Sequence, residues 1–176
     1  MEIIVNSNSF EESLRQTVEF NTYRPAEVSE WFPLDKLLPS DVEDEGDTLE
    51  YYREKYANDL VDWYRKTVRH GKEIQIRPES LPRLDYCLWA YLIHSKDNSD
   101  LIPYVGAFLG EVIVDFLEGE WEPRKNIEEA QVVVGDRVWL PFLRAKHCLQ
   151  SKDAVLDYSL TKFYRTVERY VKGEQA

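Results

Sequence analysis

The sequence predicts an α+β fold, mostly helical, as a single globular domain over residues 1–176 with a small antiparallel sheet that includes a hairpin at about 130–140. Three observations predict it. Apolar residues recur at spacings of three and four in several long segments, the period of one helix face. The run AQVVVGDRVWLP places Val and Trp on either side of Gly135-Asp136, a two-residue loop of the kind that closes a hairpin. The chain of 176 residues is 43% hydrophobic with five Trp, eleven Tyr and seven Phe, enough for one ordinary core. Helices interrupted by short strands, without regular βα alternation, make the class α+β.

Taken in order, Ile3 to Val5 reads as an edge strand, and Ser9 with Glu12 has the capping-box spacing that opens a helix to about Phe20. Residues 21–47 read as an extended arm followed by an acidic loop, because Pro25, Pro33 and Pro39 forbid a continuous helix. Trp31, Phe32, Leu34, Leu37 and Leu38 are its expected anchors. From Thr48 to His70, Leu49, Tyr52, Tyr56, Leu60, Trp63 and Thr67 mark one face of a long helix that Gly71 stops. Acids at its start and bases at its end suit the macrodipole, so the basic cluster needs no ligand to explain it.

KEIQIRP alternates as a half-buried strand does, and Pro78 ends it. The next helix, from Ser80 through Tyr86 to Ile93, is apolar on every side and is expected to be the central element. A helix over residues 101–118 follows, then the hairpin, with Val133 opposite Val138 and Val132 opposite Trp139. FLRAKHCL gives a short helix after Pro141. Asp157 or Ser159 caps a last one striped by Leu160, Phe163, Tyr164, Val167 and Val171.

The totals argue against several functions. A formal net charge of −11 repels a phosphate backbone, so neither nucleic acid nor an anionic membrane is the expected partner, while a basic protein is. The start of the chain has no signal-peptide pattern, and its apolar runs are about half the roughly 20 residues of a spanning helix. A cytoplasmic location and free thiols at Cys87 and Cys148 are therefore expected.

Motifs for chemistry are sparse. Asp41, Glu43, Glu45 and Gly46 imitate the first half of a calcium loop, but Tyr52 stands where a bidentate Glu is required. His70, His94 and His147 never share the four-residue spacing of a zinc-binding helix face, so no metal is expected. There is no nucleophile elbow and no phosphate loop, so no catalytic residue is assigned and no cofactor is expected.

The stretch GAFLGEVIVDFLEGEW is the most distinctive. On one helix, Glu111, Asp115 and Glu118 fall on one side as an acidic stripe, with Trp121 just beyond. Gly106 and Gly110 each cost about 1 kcal/mol in helix propensity, which implies close packing of another element against them. The stripe reads as wet or internally paired, and Glu111, Asp115, Glu118 and Trp121 form the candidate partner-binding surface, with Arg137 or Arg144 as possible covers from the fold.

The order YVGAFLGEVIVDFLEGEW, VVVGDRVWLPFLRAKHCL and SLTKFY, from Tyr104 to Tyr164, resembles uncharacterised bacterial domains. Those carry a Gly-x-x-x-Gly-Glu helix, a Trp, a hairpin ending in Pro-Phe and a terminal Ser-Leu-x-x-Phe-Tyr helix. The resemblance implies a bacterial, cytosolic protein and assigns it no activity or catalytic residue. The leading expectation is a non-enzymatic interaction module, as in an immunity protein masking a basic toxin, with self-association into a homodimer as a further option. The alternatives are a hydrolase working through carboxylates around Glu111, or a small-ligand-binding domain.

Overall fold

The structure is a computed structural model and describes residues 3–4, 30–69, 73–92, 98–150 and 157–173. The helix expected from Ser9 to Phe20, the first part of the arm, His70 and His94 lie outside the described residues. The rest is a mostly helical α+β domain with a four-stranded antiparallel sheet.

The strands are β1 (Ile3–Ile4), β2 (Trp31–Pro33), β3 (Val68–Arg69), β4 (Glu120–Glu122), β5 (Gln131–Val134) and β6 (Arg137–Trp139). The sheet runs β2-β6-β5-β4, and β1 forms a separate short parallel pairing with β3. The hairpin has the register its sequence predicts, Val132 opposite Trp139 and Val133 opposite Val138. Gly135 takes the positive φ, 61°, that the tight loop requires. The arm enters the sheet as β2, placing Trp31 opposite Trp139. Its later anchors hold less firmly, since Leu34 and Leu38 stay exposed.

Helices α1 (Glu45–Tyr51) and α2 (Asn58–Thr67) are joined without a break by a π turn, Tyr52–Ala57. The run opens earlier than its periodicity implies, because the Asp44 side chain caps it by accepting from the Asp47 N–H at 3.2 Å. The π turn inserts an extra residue into the helical repeat. The buried positions are therefore Tyr52, Ala57, Leu60, Tyr64 and Thr67, with a gap of five after Tyr52. Tyr56 and Trp63, expected on the interior face, are displaced to its margins.

Two further expectations are corrected. Of KEIQIRP, residues 73–78 form no strand: Ile74 is buried, yet the Gln75 N–H goes to the Ser80 hydroxyl at 2.9 Å and the chain bends at Ile76 and Arg77, where the Arg77 N–H turns back to the Gln75 carbonyl at 2.8 Å. Side-chain alternation reports exposure, whereas a strand also needs a partner for its backbone. The helix expected at the centre, α3 (Leu81–Leu92), has Trp89 39% exposed on its outer side. The enclosed element is α4 (Ile102–Phe116), every residue of which from Val105 to Ile113 is buried. It lies across α5 (Pro141–Gln150) and the π turn, while α6 (Leu160–Val171), capped by Ser159, packs on α3.

Two buried polar clusters tie these layers together. Asp85 of α3, 2% exposed, accepts the Leu160 N–H at 2.7 Å, the Thr161 N–H at 3.0 Å and the Thr161 hydroxyl at 2.5 Å at the start of α6. Burial nevertheless outweighs these bonds and pushes its carboxyl up to about 6. Arg144 of α5 is ion-paired to Glu30 at 2.7 Å, and its Nε donates to the Ser159 carbonyl at 3.1 Å.

Candidate functional site: the Glu111 network and the tyrosine cleft

Enclosure of α4 decides the fate of Glu111. Glu111 lies on the enclosed stretch of the helix and is 4% exposed. Two partners make that tolerable. The Trp121 indole N–H donates to Glu111 Oε1 at 3.0 Å, and Arg53 on the π turn approaches Glu111 Oε2 at 3.1 Å. The same guanidinium reaches Asp115 at 2.8 Å. A buried carboxylate left without a partner would cost several kcal/mol, about 3–5 when one member of a buried pair is removed. Burial raises the Glu111 carboxyl above its ordinary value, and the indole and Arg53 oppose that rise.

The acidic stripe is therefore divided. Glu111 is interior, Asp115 is exposed and bound to Arg53, and Glu118 lies beyond the helix end at φ 54°. The covering cation is Arg53. Arg137 is instead held between the rings of Trp31 at 3.8 Å and Tyr170 at 4.3 Å, and Arg144 serves Glu30. Arg53 has no sequence signal linking it to Glu111, since the contact spans 62 positions through Asp115 and depends on the π turn's phase.

The two glycines of α4 admit aromatic rings. A Cβ on Gly110 would sit 2.1 Å from Trp121 Cη2, and one on Gly106 2.2 Å from Phe142 Cδ1. Trp121 is wedged between Tyr52 and Phe142 at centroid distances of 5.0 and 5.9 Å. Gly110 thus allows the close approach that brings the indole N–H to Glu111.

On the outer side of the π turn lies an open cleft of about 620 Å³. Its apolar walls are Val42, Tyr51, Tyr52, Tyr56 and Ile127, and its polar rim is Asp47, Thr48, Arg124, Lys125 and Asn126. Tyr52 forms the floor: its hydroxyl donates to the Arg124 carbonyl at 3.2 Å and accepts from the Arg124 N–H at 3.3 Å. Tyr51 and Tyr56 meet at 89° with centroids 5.1 Å apart, and Tyr56 leans on Tyr104 at 5.2 Å. Burial beside these phenols pushes the Tyr56 hydroxyl up to about 12, so it remains protonated at neutral pH. Glu111, Asp115 and Glu118 do not line this cleft.

Among the described residues there is no group of three or more His, Cys, Asp or Glu able to hold a metal ion. Asp41, from the calcium-like loop, accepts the Lys125 N–H at 2.7 Å and approaches Arg124 at 3.4 Å. Cys87 and Cys148 are buried free thiols, both pushed up by burial, which suits packing rather than nucleophilic attack. His147 of α5 lies 3.5 Å from Glu30. Among the described residues no helix is long and apolar enough to cross a membrane. Comparison with protein-family models, with curated proteins and with solved structures returns no match, so no activity is carried over from a relative.

Proposed function

We propose that the protein is a non-enzymatic interaction module that engages a basic protein partner through the acidic and aromatic face of α1 and the π turn. The observation that carries this reading is Tyr51, 48% exposed and surrounded by the exposed carboxylates of Asp47, Glu50 and Glu54. Glu43 and Glu45 extend the same negative surface, while Lys55 is directed to Asp59 at 3.7 Å. An exposed ring accepts a cation on its face for about 0.5–1 kcal/mol. Surface carboxylates add long-range attraction, whose main effect is on association rate and salt dependence. An immunity-type protein masking a basic toxin is one form of this function, and a homodimer carrying two such faces is compatible with it.

The face differs from the stripe expected in the sequence because Glu111 is consumed internally. A hydrolase built on Glu111 gains no support from a carboxylate enclosed by an indole and a guanidinium. The test is affinity capture across a salt series, followed by titration of the purified partner. A stoichiometric basic protein should be recovered at low salt and released as salt rises, and Glu50→Lys with Glu54→Lys should abolish its binding. Recovery of the protein alone at every salt concentration, or equal binding by the charge-reversed variant, defeats the proposal.

A further inference from the structure

The tyrosine cleft adjoins the acidic face and shares Tyr51 and Asp47 with it, and the π turn supplies its Tyr56 wall. In a continuous α-helix a residue four places after the buried Tyr52 would point inward; with the extra residue, Ala57 takes that place and Tyr56 becomes a wall of the cleft. The π turn thereby forgoes one large apolar side chain in the core and exposes aromatic surface. Such turns are frequent at functional sites.

The chemistry of the walls limits what fits. A volume of about 620 Å³ lies in the range of small-ligand sites, roughly 300–1,000 Å³. Both terminal nitrogens of Arg124 are engaged: Nη1 donates to the Pro39 carbonyl at 2.5 Å, and Nη2 faces Asp41 at 3.4 Å and Glu129 at 3.6 Å, while its Nε is buried away from the cleft opening without a hydrogen-bond partner among the described residues. The Asn126 side chain is taken up by the Glu128 N–H at 3.3 Å and Glu129 at 3.2 Å. Asp47 and Lys125 then contribute opposite charges across the rim. A phosphorylated ligand would meet one balanced cation in a protein of net charge −11, and a polycation would meet Lys125. An uncharged ligand meets neither penalty.

We propose that the cleft binds an uncharged polyhydroxylated ring, the chemistry of a sugar. The apolar C–H face of such a ring stacks on Tyr51, with Tyr56 as the wall at right angles to it. Its hydroxyls both donate and accept, so they match the acceptor Asp47, the donor Lys125 and the phenols together. The Thr48 hydroxyl, donating to the Asp44 carbonyl at 2.8 Å, keeps lone pairs to accept from the same ligand. Tyr51, held edge-on by Tyr56 and open to solvent, is the principal platform.

The test is calorimetric titration of the full chain with glucose, maltohexaose, cellohexaose, chitohexaose and xylohexaose, with adenosine monophosphate and spermidine as charged controls. At least one sugar binds saturably with a Kd below about 1 mM. Tyr51→Ala, a surface change that leaves the fold intact, weakens it by about tenfold, whereas Tyr51→Phe, which keeps the ring, stays within about threefold. Glucose matching the best hexasaccharide identifies a free-sugar site; a much tighter hexasaccharide identifies a site for a chain. Absence of saturable sugar binding, tighter binding of either charged control, or indifference to Tyr51→Ala overturns the proposal. Glu50 and Glu54 lie outside the walls of the cleft, so their reversal abolishes partner capture and leaves sugar binding intact, which separates the two readings.

Discussion

Replacing Gly110 by Ala sets two opposed effects against each other, and the structure decides the sign. In an unobstructed helix the change stabilises by up to about 1 kcal/mol. Here the added Cβ would lie 2.1 Å from Trp121 Cη2 and 2.3 Å from Cζ2, well inside ordinary van der Waals contact. Trp121 has little room to retreat, with Tyr52 and Phe142 at 5.0 and 5.9 Å. Overpacking of this kind costs about 1–3 kcal/mol. Moving the ring also removes the indole bond from the Glu111 carboxylate, a charge-assisted hydrogen bond contributing about 1.5–3 kcal/mol. The net expectation is a loss of about 1.5–5 kcal/mol after the propensity gain is subtracted. Urea unfolding followed by circular dichroism measures it. Gly46→Ala is the matched control: in the first turn of α1 its Cβ meets only Asp44 Oδ1 at 3.5 Å, so it should gain about 0.5 kcal/mol. A Gly110→Ala protein as stable as the parent would refute the packing argument.

Three further predictions use other parts of the fold. Burial holds the Asp85 carboxyl at about 6 against 3.8 when exposed, so the folded state keeps its proton longer than the unfolded state does. Its contribution is full below about pH 4 and falls by about 3 kcal/mol as pH rises through 6; the stability difference between parent and Asp85→Asn should shrink over that window, and a pH-independent difference would exclude it. Arg144→Met leaves Glu30 buried without its ion pair and should cost about 3–5 kcal/mol, partly recovered in Arg144→Met with Glu30→Gln; a strictly additive double-mutant cycle would show that the pair is uncoupled. Gly135→Ala meets the strain of φ 61° and places a Cβ 2.7 Å from the Tyr170 hydroxyl, a loss of about 1–2 kcal/mol by thermal unfolding that a shift of less than 0.3 kcal/mol, near the resolution of such comparisons, would contradict.

Legibility in the sequence followed the range of the interaction. The hairpin was readable to the residue because Gly135-Asp136 and the flanking alternation are local, and the cap of the last helix was narrowed to Asp157 or Ser159, of which Ser159 is the one that caps. KEIQIRP was misread because its alternation records which side chains are buried and says nothing of whether a neighbouring strand completes the backbone bonds. The identity of the enclosed helix was also hidden, since α3 and α4 are both apolar and only tertiary packing leaves Trp89 outside. For Glu111, periodicity placed it with Asp115 and Glu118, but the hairpin-side Trp121 and the distant Arg53 determine that it lies inside. The tyrosine cleft was invisible because Tyr56 obeys the α period in sequence and escapes it in three dimensions.

That escape has a genetic counterpart. A helix with one residue too many is a phase shifter: it carries α1 and α2 along one axis while rotating the pattern of one against the other. Deleting a single residue between Arg53 and Ala57 would bring the two halves back into step as a continuous helix, with Ala57 four places after Tyr52 and still facing inward. Insertions and deletions are ordinarily tolerated in loops and damaging in helices. Here the surplus residue lies within a helix, on the same turn that bears the wall of an open cleft and the cation over a buried charge, and its loss would restore the regular α spacing of the buried face.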